Sequence, residues 1–461
     1  MDTSVSAEAG RRYPRQTAAY YLELSVYWFA LSFLWSGMIT IVMQTLVERM
    51  AGDKKDLYLG WTLAAGAFVS TVVCLVVGTL SDHSRWKMGR RRPYILVGTL
   101  LSVPALLWLP HIRTIPLLIL DFCLIQLWVN VATSPYQALV PDTVPKERQG
   151  TASAYMGMGS LIGQLSGLLL CGLLIARPGG LQTIMLALAA LLVLAMLFTV
   201  WRVPETSAAD NPAPRSGLAS TLRASFEVSP REHPDFFRLI ASRFVINMGF
   251  YTATQFLLYY VSDTLQAPKP TDTVTAIFVI TTFSGLLGNF PAGLLSDRMS
   301  KKRVIYVSST ITGVAALMFL LTSSIPFALG AAFVFGAGFG AFQAVDWALA
   351  TNLLPERDEA KYMGVWHAAF TVPQVVAPLI GGTVAYFFNQ GAAAPLFREH
   401  FGPGSGYRVV LALVILYLAA GTLLIRPIRE RVFPKEEAAP DSPDPAFAAV
   451  TTQPDEAGAK L

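Results

Sequence analysis

The chain has 461 residues, 53% of them hydrophobic and only 14% charged, whereas a soluble domain carries about a quarter charged residues. That shortfall excludes a large water-soluble core and requires membrane spans. The net charge of +5 does not indicate nucleic acid, because the basic residues sit between apolar runs, where they orient a protein in a bilayer.

Arg11, Arg12 and Arg15 precede an apolar run of more than 20 residues, longer than the roughly 7–15-residue core of a cleavable signal. The first span is therefore retained, and 1–18 reads as a cytoplasmic N-terminal segment. At about 20 apolar residues per helix, six spans are expected near 19–46, 57–80, 93–110, 115–140, 152–175 and 181–201, forming an N-terminal bundle over 19–202. Residues 203–235, polar and rich in Pro, Ser and Ala, read as a cytoplasmic linker. Six more spans follow near 236–262, 273–295, 303–322, 325–353, 361–388 and 407–426, a C-terminal bundle over 236–427. The tail at 428–461 is expected to be disordered and cytoplasmic. Cys74, Cys123 and Cys171 fall inside apolar runs without metal-ligand spacing, so free buried thiols are expected, with no metal and no cofactor.

Counting spans places both termini, the linker, the 81–92 loop and the SKKR turn at 300–303 on one side. The opposite loop at 47–57 balances Arg49, Lys54 and Lys55 against Glu48, Asp53 and Asp56. This is the positive-inside pattern of a multi-pass protein of the cell membrane, with both termini cytoplasmic. The two sets also resemble each other. Gly78-Thr-Leu-Ser-Asp82 recurs as Gly293-Leu-Leu-Ser-Asp297, and a shift of 210 carries QALVPDTVPKER (137–148) onto WALATNLLPERD (347–358) and Gln164 onto Gln374. An all-α protein of twelve transmembrane helices in two pseudo-symmetric six-helix bundles is the expected fold, with its site between the bundles.

The stretch GTLSDHSRWKMGRRRPYIL (78–96), with five cations among the eight residues 85–92, resembles the loop between helices 2 and 3 of the major facilitator superfamily. Its spacing, and PYQALVPDTVPKERQGTASA (135–154), are similar to the glycoside–cation symporters and more narrowly to the sucrose–proton symporters of plants and animals. Asp82 closes helix 2, while Arg90, Arg91 and Arg92 open helix 3, and such charges pair where water is scarce. Gly78 lies one turn before Asp82, where a small residue permits close helix contact. Asp142, ending helix 4, is a further partner, and Asp297 is the second-half counterpart of Asp82. The resemblance implies that these pairs form a cytoplasmic gate that latches the outward-open state; otherwise the charges only set topology. Two departures stand out. Gln126 occupies the place of the symporters' membrane aspartate, and no arginine lies between 151 and 174. Coupling is then expected to have moved to Asp121 or Asp346.

Charge within a span costs at least about 2.5–3.5 kcal/mol on insertion scales, so each such residue marks a functional candidate. Asp346 and His367 fall at matched depth on antiparallel helices, about 10–14 Å from the cytoplasmic boundary. They either carry a coupled proton or brace the helices. Arg243, two turns into helix 7, is expected to snorkel to the surface, and Glu23 to be interfacial or buried. Polar and aromatic stripes fall on helix 1 (Trp28, Ser32, Trp35) and helix 7 (Asn247, Tyr251, Gln255). Asn130, Gln137, Gln164 and Gln374 add amides on helices 4, 5 and 11. In lipid these groups need partners; a wet cavity of amides and rings suits a polyhydroxyl solute.

The expected function is secondary active transport of a small polar solute, a sugar or glycoside, coupled to a proton or another cation, by a monomer alternating access between its bundles. The rival is an exporter of amphipathic drugs or lipids. No P-loop, HExxH or catalytic carboxylate pair with a nucleophile occurs, so neither an enzyme nor a receptor is expected.

Overall fold

The computed structural model describes residues 14–82, 84–145, 148–205, 230–296, 299–353, 365–366 and 368–428. Among the described residues the regular structure is helical and no strand occurs. In a bilayer each backbone donor and acceptor must be satisfied within its own segment, and a helix does this for long apolar runs. Ten helical stretches are long and apolar enough to cross a membrane. The first, Ala18–Ser81, contains two crossings joined by a turn at Gly52–Lys54, where Gly52 adopts φ +52°. A further helix at 234–264, its apolar run diluted by Arg238, Arg243, Asn247 and Gln255, completes twelve.

The crossings are α1 (18–51), α2 (Lys55–Asp82), α3 (Arg92–Trp108), α4 (Ile115–Gln137), α5 (Gln149–Leu174) and α6 (Gly180–Arg202). The second half comprises α7 (234–264), α8 (Pro270–Ser296), α9 (Lys301–Leu321), α10 (Ile325–Leu353), α11 (368–389) and α12 (Ser405–Leu424). A short amphipathic helix, Ala394–Phe401, which the hydropathy pattern does not anticipate, joins α11 to α12. Leu194, Trp201, Phe290, Leu321 and Leu423 are all more than half exposed. So much outward apolar surface fits hydrocarbon and not water.

Packing repeats with an offset of six helices. In the first half α1 packs on α5 and α6, α2 on α4, and α3 on α4 and α6. In the second, α7 packs on α11 and α12, α8 on α10, and α9 on α10 and α12. Between the halves, α2 meets α11 and α5 meets α8. The α2–α11 contact depends on glycine. A Cβ on Gly60 would strike the Pro378 carbonyl, and one on Gly382 would come within 2.5 Å of the Asp56 carbonyl oxygen. The Gly-rich stretch 336–342 likewise brings α10 against α8, with Gly340 facing the Gly285 backbone.

The first helix of each half is broken. Helix α1 runs Ala18–Gly37, passes through a π-turn at Met38–Val42 and continues as Met43–Ala51. Helix α7 runs Pro234–Gln255, departs from helical geometry at Phe256 (φ −110°, ψ 10°), then resumes as Leu257–Tyr259 and a π-turn at Tyr260–Thr264. The two breaks pack against each other across the halves. π-turns concentrate at functional sites, and interrupted helices mark the binding region in many transporters.

Residues 206–229 of the expected linker, the tail from 429, Asp297 and His367 lie outside the described residues, as does the side chain of Asp82.

Candidate functional site

A cavity of about 380 Å³ lies where α5 of the first half faces α7, α8 and α10 of the second. The first half contributes Leu161 and Gln164. Opposite them, Phe250, Phe335 and Phe339 form one aromatic wall. Phe250 and Phe339 stack with centroids 4.2 Å apart at 5°, and Phe335 lies 6.1 Å from Phe339. Thr254, Asn289 and Gln343 add polar groups, and among the described residues no charged side chain lines the cavity. At 335, 339 and 343, Phe, Phe and Gln are spaced four apart on α10, one stripe of a helix. That periodicity is present in the sequence but straddles the Gly-rich stretch 336–342, whose glycines interrupt the pattern.

Of the ten residues expected to line a cavity, Gln164 lines this one. Tyr251 stands beside it, its ring edge-on to Phe370 at 5.6 Å and its hydroxyl hydrogen-bonded to Gln374. The Gln374 amide also donates to the Phe370 carbonyl at 3.5 Å. Gln255 is buried at the α7 break. Others serve the first half internally. The Trp28 ring stacks on Tyr136, Ser32 bonds to Ser160 at 2.8 Å, and Trp35 meets Phe122 edge-on. Asn130 donates to the Gln126 side chain at 3.0 Å. Asn247 is fully buried and donates to the Arg243 carbonyl at 2.9 Å. Gln137 is exposed at the end of α4. Helical spacing places such residues on one face without saying which neighbour covers it.

Arg243 does not snorkel. It is 4% exposed and forms an ion pair with Asp346, itself 1% exposed. The guanidinium sits 3.6 Å from the Trp366 ring centroid and 5.8 Å from that of Phe370. A carboxylate at matching depth on α10 and the ring faces of Trp366 and Phe370 compensate for lost water, which an isolated helix cannot offer. The expected partner of Asp346, His367, lies outside the described residues; among those described, Asp346 pairs with Arg243. Asp121, the other coupling candidate, is fully buried on α4, and neither carboxylate oxygen has a hydrogen-bond partner among the described residues. Glu23 is not free either: it pairs with Arg202 at the end of α6.

The end of the bundle carrying the 84–92 loop, here termed the basic end, holds a cluster within the first half. Arg90 pairs with Asp142, and Arg91 Nε donates to the same carboxylate at 3.0 Å and its Nη1 to Ser81 at 2.5 Å. Gly78 lets α2 approach α4, since a Cβ there would lie 3.0 Å from Ser134 Oγ. Glu205, just beyond α6, was not anticipated. Its carboxylate accepts from the backbone N–H groups of Arg90 (2.9 Å), Arg91 (2.7 Å) and Arg92 (3.0 Å). It thus caps the N-terminus of α3, while the Arg92 side chain donates to the Val203 carbonyl.

The opposite end is where the halves lock together. Lys55 of α2 pairs with Asp263 of α7 at 2.8 Å and with Glu48 at 2.6 Å, and stands 4.5 Å from the Tyr259 ring centroid. Asp56, 2% exposed, accepts from Tyr407 (2.6 Å) and Asn389 (3.1 Å) of the second half. Tyr259 donates to the Gln44 carbonyl of α1 at 2.8 Å. In the sequence these charges look like a balanced loop, because their partners lie more than 200 residues away.

Comparison with known proteins agrees with this architecture. The family model for MFS/sugar transport proteins matches residues 55–428. The multi-drug resistance efflux pump PmrA of Streptococcus pneumoniae serotype 4 is 25% identical over 387 residues, 80% of this chain and 91% of the pump. A bacterial homolog of the human lysosomal transporter Spinster, solved inward-facing and unoccupied, superimposes with a TM-score of 0.69 at 15% identity, covering 90% of this chain and 98% of that one. The nucleoside transporter NupG superimposes with a TM-score of 0.66 at 13% identity, covering 88% and 97%. The protein belongs to the MFS/sugar transport family and is a multi-pass membrane transporter with the major facilitator fold, not an enzyme.

Proposed function

We propose that this transporter is a secondary active carrier of a small hydroxylated solute, a sugar or glycoside, coupled to a proton or another cation, working as a monomer in the cell membrane with both termini cytoplasmic. The observation that carries the reading is the pairing of an uncharged cavity between the halves with a buried Arg243–Asp346 ion pair beside it. The uncharged lining suits a neutral solute, and a buried ion pair contributes little net stability, so a role in coupling explains why it is kept. Asp121 is a second carboxylate available for the cation. The basic residues around 84–92 and 300–303 orient the basic end to the cytoplasm. The Arg90–Arg91–Asp142 cluster is the first half's share of the inner gate.

In proteoliposomes under an imposed pH gradient, labelled glycoside should accumulate. Asp346→Asn should abolish accumulation while sparing solute exchange; undiminished accumulation would reject Asp346 as the coupling group. The aromatic wall and the likeness to PmrA favour a second reading, export of an amphipathic compound. Gradient-driven extrusion of a hydrophobic dye, with no glycoside uptake, would establish it.

A further inference from the structure

Two glutamines line the cavity, one from each half. Gln164 stands on α5, and its backbone carbonyl accepts from Ser36 of α1 at 2.9 Å, which fixes the helix and leaves the side chain to the cavity. Gln343 stands on α10 across from it. Neither side-chain amide hydrogen-bonds to another described residue, whereas Thr254 bonds to the Phe250 carbonyl at 3.0 Å and Asn289 to the Gly340 carbonyl at 3.4 Å. An amide at membrane depth needs a partner, and an unmade bond is costly there. Each offers two donors and an acceptor, the complement of vicinal hydroxyls.

The rest of the lining selects further. Among the described residues no acid or base faces the cavity, so a cationic drug or an anionic headgroup would meet no counter-charge from them. Phe250, Phe335 and Phe339 supply an apolar wall of near-parallel stacked rings, with interplanar angles of 5–23° among the three. A bare sugar meets that wall only with its C–H faces, whereas an apolar aglycone meets it with a ring of its own. The volume of about 380 Å³ is near the lower end of small-molecule sites, roughly 300–1,000 Å³.

We infer that the solute is a neutral glycoside carrying a flat apolar aglycone. Its sugar hydroxyls bridge Gln164 of the first half and Gln343 of the second, and its aglycone lies along the Phe250–Phe335–Phe339 wall. This deepens the glycoside reading above and rests on it. It also gives Gln343 a positional role: a sugar bound to both amides ties α5 to α10, so occupancy itself draws the halves together.

The test is binding to the purified full-length protein in detergent, by calorimetry, with phenyl β-glucoside and methyl β-glucoside as probes. Phenyl glucoside should bind at least tenfold more tightly. Phe339→Ala should remove that difference while leaving methyl glucoside within twofold, with Phe339→Leu as the volume-keeping variant if the alanine form is unstable. Gln164→Ala and Gln343→Ala should each weaken both probes about tenfold with unchanged melting temperature. Equal binding of the two probes, an equal effect of Phe339→Leu on both, or indifference to either glutamine change would overturn the inference while leaving glycoside transport intact. Binding of neither probe, with uptake of a nucleoside or extrusion of a hydrophobic dye, would instead remove the glycoside reading and this inference with it.

Discussion

Arg243 and Asp346 are charges that neither helix would bury alone. Removing one partner leaves the other unpaired away from water, at a cost of about 3–5 kcal/mol, whereas replacing both with apolar residues is often neutral. Arg243→Met and Asp346→Leu should therefore each lower the melting temperature in detergent sharply. The double variant should recover most of that loss yet fail to accumulate solute under a pH gradient. Asp121 gives the opposite expectation. Its buried carboxylate has no hydrogen bond among the described residues, a situation costing about 1–3 kcal/mol, so Asp121→Leu should raise the melting temperature. Thermal unfolding of the purified variants checks both statements.

Between elements, the junction of α3 and α6 depends on a single carboxylate. Glu205 satisfies three N–H groups that open α3 and places a negative charge at a helix N-terminus. Glu205→Ala should destabilise by about 0.5–2 kcal/mol, the range for losing a helix cap, and should expose the Arg90–Arg92 segment to trypsin, measured as faster cleavage there. The α2–α11 contact makes a separate prediction. Gly382→Leu introduces a side chain into the Asp56 and Gly60 backbone, so it should hold the two helices apart, measured as a longer distance between spin labels on the 52–54 turn and the Ala394–Phe401 helix.

For the molecule as a whole, the polar contacts described between the halves cluster at the end away from the basic loops. Opening that end requires separating Lys55 from Asp263 and Asp56 from Tyr407 and Asn389. The double variant Lys55→Ala/Asp56→Asn should shift the population towards the state open at that end. Spin labels on the 52–54 turn and the Ala394–Phe401 helix should report a longer distance than in the parent protein. An unchanged distance distribution would mean that apolar and glycine packing, not this polar cluster, holds the end shut.

The sequence by itself determined the class, the number of crossings, the two-fold repeat and the family, because apolar run length and loop charge are local properties that a bilayer converts directly into topology. It also singled out Gln164, Asp346 and the Arg90–Asp142 neighbourhood, since a polar residue in an apolar run is conspicuous whatever surrounds it. Only the tertiary structure decided their partners. Asp346 took Arg243, three helices away in the chain, and Arg90 to Arg92 took a backbone cap from Glu205. Lys55 and Asp56 became an inter-half lock, and Phe335, Phe339 and Gln343 emerged from a Gly-rich stretch as cavity wall. The reason is physical: helical periodicity states which residues share a face, but the energy of a buried charge or amide depends on the neighbour across the gap, and that neighbour is chosen by how the two halves pack.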